Sequence, residues 1–249
     1  MSHDALITSP GHAQPEVFPE TRWTLVLRAA GQGATGAGAL ADLCRDYWRP
    51  IYAVARGSGL SREDAEDVTQ NFFADLISTN SLDRVSPEAG RLRWFLLTTL
   101  RRQMNHLRAR ACAAKRGGGV APLPLLDMAG AEDYYGLIPA DHVSPDVLYD
   151  RHWTLALMDR AMSILADEQA GRGRRDFFSL VRPTLTGEGA DLRYADIAVR
   201  HSMTEAAVKT SVVRLRQRLR EILRAEIAGT VTAPADVDDE IRHLFASFS

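Results

Sequence analysis

Between Thr204 and Leu223 the apolar residues Val208, Val212, Leu215, Leu219 and Ile222 recur at intervals of four, three, four and three. That spacing lines side chains up along one face of an α-helix. Just upstream, Tyr194, Ile197 and Ala198 are spaced for the inner face of a shorter helix. His201, Ser202 and Met203 read as a tight turn, and Thr204 reads as the cap of the longer helix. Comparable stripes occupy much of the chain. Leu40, Leu43, Cys44, Tyr47, Ile51, Tyr52 and Val54 form one after the break GQGATGAG (31–38), with Pro50 expected to kink or divide it. Val68, Phe72, Phe73, Leu76 and Ile77 form another behind the N-cap Ser61, and Trp94, Phe95, Leu96, Leu97 and Leu100 a third. Ser144-Pro145 marks a further helix start, followed by Leu155, Met158, Met162 and Leu165. A helix over roughly 174–185 ends at Thr186-Gly187-Glu188-Gly189. No alternating pattern of useful length suggests a strand, so the expected fold class is all-α.

Charge divides the chain. Residues 91–116 carry eight basic side chains and no carboxylate, whereas 117–150 carry Asp127, Glu132, Asp133, Asp141, Asp146 and Asp150 and no Lys or Arg. The stretch 117–143 is rich in Gly, Pro and acid, which predicts a flexible linker rather than a helix. At ~3.3 Å per residue such a linker reaches about 90 Å. The expected organisation is a loose N-terminal arm over 1–18, an N-terminal helical domain over 19–116 with its first helix near Thr21, and the linker over 117–143. A C-terminal helical domain over 144–229 and an acidic amphipathic helix over 230–249 follow. In that last helix Val237, Ile241, Leu244, Phe245 and Phe248 form the apolar side. Docking on the C-terminal domain to modulate access to DNA and simple completion of the core are both open readings for it.

The short helix, turn and capped second helix near the C-terminus have the layout of a helix-turn-helix, whose second helix enters the major groove while basic neighbours meet phosphates. Lys209, Thr210, Val213, Arg214 and Gln217 lie off the apolar stripe, with Thr204 at the start and Arg218 among the basic residues further along. Arg214 has the fork to pair with a guanine edge, worth ~1–3 kcal/mol of base discrimination. The plainer alternative is that this face is only solvated. A net charge of −2 argues against a protein that coats nucleic acid nonspecifically.

Three blocks, in order, resemble extracytoplasmic-function sigma factors: DAEDVTQNFFADLI (64–77), LRWFLLTTLRRQMNHLRARACAAKRGGG (92–119) and the segment 194–223. The resemblance implies a two-domain initiation factor that lends RNA polymerase its promoter specificity and catalyses nothing itself. It implies that Asp67, Gln70 and Asn71 face the core polymerase, with Phe72 or Phe73 turned inward. It also implies that Arg93, Trp94, Arg101, Arg102, Asn105 and Arg108 engage the minus-ten region and that the C-terminal helix-turn-helix (Thr204, Lys209, Thr210, Val213, Arg214, Gln217, Arg218) reads the minus-thirty-five box. Two residues have plainer readings: Asp67 as a helix-dipole charge, and Trp94 as core rather than base-stacking platform. The chain departs from the family at His106, where relatives often carry Asp, and at Ser211, where they often carry Arg. It also has a longer linker and an expanded helical segment over 155–185.

Partners expected on this reading are core RNA polymerase, promoter DNA and an anti-sigma factor or other regulator, with no cofactor, no metal, no small-molecule substrate and no membrane. Cys44 and Cys112 form no CxxC pair and have no His at ligand spacing, so they read as reduced, partly buried thiols. The N-terminal segment lacks a basic start and an apolar run, which predicts a cytoplasmic protein. A stand-alone helix-turn-helix regulator is the main rival. An enzyme is a weaker one, because the seven histidines are scattered and GRGRRD (171–176) lacks the ending of a phosphate loop.

Overall fold

In the computed structural model, residues 34–78, 91–113, 128–138, 143–187, 193–231 and 233–248 are described, with side chains left out for 34–40, 77–78 and 107–113. The expected arm, the helix near Thr21 and most of the Gly-rich part of the linker lie outside these residues. Every regular element among the described residues is helical, as the periodicity predicts.

Helix α1 (Ala34–Gly57) starts inside the stretch read as a break and runs straight through Pro50, which does not divide it. The downstream stripe explains this, since Leu43, Cys44, Tyr47, Trp48, Ile51, Tyr52 and Val54 are all buried and tertiary packing outweighs the propensity cost of a Gly or Pro. Helix α2 (Arg62–Ser78) begins as expected at Ser61, whose Oγ accepts from the Asp64 amide at 3.1 Å and donates to the Asp64 carboxylate at 2.9 Å. Its Ala65, Val68, Phe72, Phe73 and Leu76 pack against α1 and α3 (Leu92–Ala113).

The linker expectation needs correction over 128–138. A short helix, α4 (Ala131–Gly136), forms there, with Met128, Ala131 and Ile138 buried. Glu132 accepts from Arg56 Nε at 2.7 Å and from the Tyr52 hydroxyl, and the Arg49 guanidinium lies 4.4 Å from the centre of the Tyr134 ring. Tyr134 and Tyr135 both meet the His152 ring, the latter stacked at 6.0 Å. Averaged composition hides these few anchoring side chains among the Gly, Pro and acid.

Helix α5 (Pro145–Gly171) opens where the sequence places it, with the Ser144 hydroxyl accepting from the Val147 amide and Pro145 in the first turn. At ~1.5 Å per residue it is about 40 Å long, and it belongs to both hydrophobic interiors. Its first half contributes Tyr149, Trp153 and Leu157 to the interior built by α1–α4, where Trp153 stacks on Tyr47 at 4.5 Å. Its second half contributes Ala161, Met162 and Leu165 to an interior shared with α6 (Arg175–Thr186), α7 (Tyr194–Arg200) and α8 (Glu205–Ala228). A boundary before residue 144 therefore does not separate the two interiors. The tail adds a second crossing. Ile227, Val231, Val237 and Leu244 are buried in the first interior, the last two on α9 (Val237–Ala246) after a 3-10 turn at Pro234–Asp236.

Candidate nucleic-acid interface

All five stripe residues of α8, Val208, Val212, Leu215, Leu219 and Ile222, are buried against α5, α6 and α7. Burial on one side of a helix dictates exposure on the other. Ala206, Thr210, Val213 and Gln217, at i, i+4, i+7 and i+11, form the opposite exposed face, flanked by Lys209 and Arg214. Val213 is 61% exposed, an apolar side chain left in water on a polar face.

The local chain explains how this face is presented. Ile197 and Ala198 seat α7 in the interior, and Ser202 turns the chain at φ 52°, a left-handed conformation unusual for a residue with a Cβ. The Met203 amide donates to the Ala198 carbonyl at 2.8 Å, closing the turn. Thr204 Oγ1 then accepts from the Ala207 amide at 3.2 Å and starts α8. Thr210 donates to the Ala206 carbonyl at 2.9 Å, leaving its oxygen lone pairs outward. Lys209 pairs with Glu205 one turn back, in solvent, where such a pair is easily exchanged. Arg214 makes no ion pair among the described residues and keeps its whole fork.

Arg218, expected as a DNA contact, is exposed but paired. It donates to Glu168 of α5 at 2.7 to 3.2 Å and to Glu221 at 3.0 Å. The Glu168 bond raises its pKa further, and the pair links α8 to α5 at the surface, where it contributes little.

Helix α3 presents a second face. Trp94, Thr98, Arg101, Arg102 and Asn105 are exposed at i, i+4, i+7, i+8 and i+11. Trp94, for which core and surface both stood open, is 50% exposed, with the Arg93 guanidinium 5.2 Å from its ring centre. Arg101 pairs with Asp146 at the start of α5. The Arg108 backbone is helical and its side chain lies outside the described residues.

Arg93, expected as a minus-ten contact, is covered in this structure. It is 2% exposed, donating from Nε to Glu240 Oε1 at 2.5 Å and from a terminal nitrogen to Asp150 Oδ1 at 2.7 Å. Arg91 reaches the same Glu240 at 2.9 Å, and His243 Nε2 lies 2.8 Å from the other Asp150 oxygen. A guanidinium buried between two carboxylates is closed to a phosphate as long as both stay in place. Glu240, Asp150, Arg91 and His243 were missed from sequence, although one signal existed. Glu240 falls on the inward stripe of its helix with Val237, Ile241 and Leu244, where a charge has no reason to be unless it has a partner. Of the apolar side expected for that helix, Val237 and Leu244 are buried and Ile241 partly so, while Phe245 and Phe248 are each 47% exposed.

On α2, Asp67 is exposed and Gln70 and Asn71 partly so, above Phe72 and Phe73, both of which turn inward. Glu63 and Asp64 occupy the first turn and already serve the helix dipole there. Cys44 is buried, and burial pushes its thiol up to about 12, the value of an unreactive core residue. The described residues hold no group of three His, Cys, Asp or Glu side chains placed to bind a metal ion. No described helix is long and apolar enough to cross a membrane. The chain matches no family model, and neither a curated protein nor a solved structure matches it.

Proposed function

We propose that this chain is an alternative sigma factor of the extracytoplasmic-function type: an initiation subunit, not itself an enzyme, that works in the cytoplasm. On this reading α7, the turn and α8 act as a helix-turn-helix that reads the minus-thirty-five element. The observation that carries it is the exposed face of α8, where Thr210, Val213, Arg214 and Gln217 stand opposite a fully buried apolar stripe. Those residue types suit base edges. Val213 can meet a thymine methyl, Arg214 a guanine, and Gln217 an adenine. Lys209 and Thr204, at the N-terminal end of the helix, are positioned for phosphates.

The polymerase-binding part of the proposal rests on α2 and α3. Asp67, Gln70 and Asn71 form a polar surface on a helix anchored by two buried phenylalanines, suited to a protein partner. Trp94, Arg102 and Asn105 lie along one open face of α3, suited to an unstacked strand. Run-off transcription with purified core polymerase on a library of genomic fragments tests the reading. Specific transcripts that require the chain are expected. Failure to associate with core enzyme sinks it, and tight binding to duplex DNA without polymerase supports a stand-alone regulator instead.

A further inference from the structure

The ion cluster around Arg93 joins three stretches of chain. Arg91 and Arg93 come from the start of α3, Asp150 from α5, and Glu240 and His243 from α9. The Leu92 amide adds a bond to the Thr230 carbonyl at 3.0 Å, ahead of α9. Glu240 is fully buried and lies 147 residues from Arg93 in sequence. We propose that Arg91 and Arg93 are a binding site for the phosphate backbone of DNA, covered in the free protein by α9 with Glu240 in the place of a phosphate. The inference rests on the reading of α3 as a DNA-engaging helix and adds to it a covered site and the means of covering it.

Three observations carry it. The first is chemical. The planar fork of arginine recognises carboxylate and phosphate oxygens with the same geometry, so a position Glu240 fills with two oxygens is one a phosphate can fill. The second is placement. Arg93 lies against the half-exposed Trp94 ring, and Trp94 heads the open face that continues through Thr98, Arg102 and Asn105. A strand laid along that face ends at the two arginines.

The third is the nature of the cover. Helix α9 has ten residues, and only Val237, Glu240 and Leu244 are buried, while Asp238, Asp239, Arg242, His243 and Phe245 are exposed. A buried ion pair is a poor way to fasten such a helix, because apolar side chains of similar volume often hold as well or better. It is a good way to fasten one that a polyanion must displace. When α9 leaves, it takes Glu240 with it. Asp150 remains to orient Arg93, and the two arginines against one carboxylate leave a net positive site.

The test uses the full chain and a labelled single-stranded DNA oligonucleotide. Glu240→Gln is expected to bind the oligonucleotide on the order of tenfold more tightly at low salt, the usual size of a coupling between sites, with a steeper salt dependence as further phosphates are neutralised. The double variant Arg93→Ala/Glu240→Gln should lose that gain. In the wild-type chain, hydrogen exchange of amides 237–246 should accelerate when the oligonucleotide saturates. A folded Glu240→Gln with unchanged affinity overturns the proposal, as does a gain that persists in the double variant or the absence of binding by either chain. If Glu240→Gln does not fold, the wild-type exchange measurement decides alone, unchanged protection at saturation overturning it. Run-off transcription by the wild-type chain separates the two readings. Transcription with undisturbed α9 defeats the cover only, and released α9 without transcription defeats the sigma reading only.

Discussion

Helices α3 and α8 are both basic, both amphipathic and both carry residues suited to nucleic acid, yet they spend their charge differently. On α8 the face opposite the core is open, Arg214 is unpaired among the described residues, and the cations bonded to other elements, Arg216, Arg218 and Arg224, lie off that face. On α3, Arg93 is enclosed by Asp150 and Glu240 and Arg101 is paired with Asp146, so among the described residues the exposed side chains without a paired charge are Trp94, Thr98, Arg102, Asn105 and His106. An arginine-rich helix is therefore not a measure of available charge. Availability depends on which carboxylates the rest of the chain brings to it, and for α3 these come from 57 and 147 residues away.

The contrast predicts opposite responses to the same kind of substitution. Arg93→Ala should cost about 3 kcal/mol of stability, since it leaves buried Glu240 with Arg91 alone and buried Asp150 with His243 alone; urea denaturation checks this, and a change under about 1 kcal/mol, the scale of a surface site, would erase the difference between the helices. Arg214→Ala should leave the urea midpoint in place and instead cost ~1–3 kcal/mol of DNA discrimination, relaxing the preference at a single base pair. Binding selections on randomised sites would show it, and uniform weakening at every position would reassign Arg214 to phosphate.

A third test separates the two interiors by pH. His152 is fully buried between Tyr134 and Tyr135, neither ring nitrogen has a partner among the described residues, and burial lowers its pKa from 6.5 to about 4. The unfolded chain then takes up this proton first. Stability from His152 is complete above pH ~6.5 and falls as the pH drops toward 4, at up to ~1.4 kcal/mol per unit. Comparing melting temperatures of wild type and His152→Leu across that window isolates the term, and parallel curves would refute it. The smallest effect belongs to the start of α8. Thr204→Ala removes the cap and should cost ~1 kcal/mol by denaturation, without disturbing the α3 side.

Much of the architecture was legible because it is written in short-range patterns. The caps at Ser61, Ser144 and Thr204, the stripe from Val208 to Ile222 and the stop at Gly187 each need only a few neighbouring residues to be read. The exposed residues of α8 follow from that stripe by subtraction. The helix inside the linker was not legible, because Glu132 and Tyr135 acquire their meaning from Arg56, Tyr52 and His152.

Helical class, the starts of α2, α5 and α8 and the outward face of α8 were thus determined by the sequence alone, since periodicity and capping act within a turn or two of helix. Whether Arg93 meets solvent or a carboxylate, whether α5 serves one interior or two, and where the C-terminal helix rests were decided only in the tertiary structure. The reason is physical. A buried charge is tolerated only beside its counter-charge, and that partner is found through space, at separations no local pattern encodes.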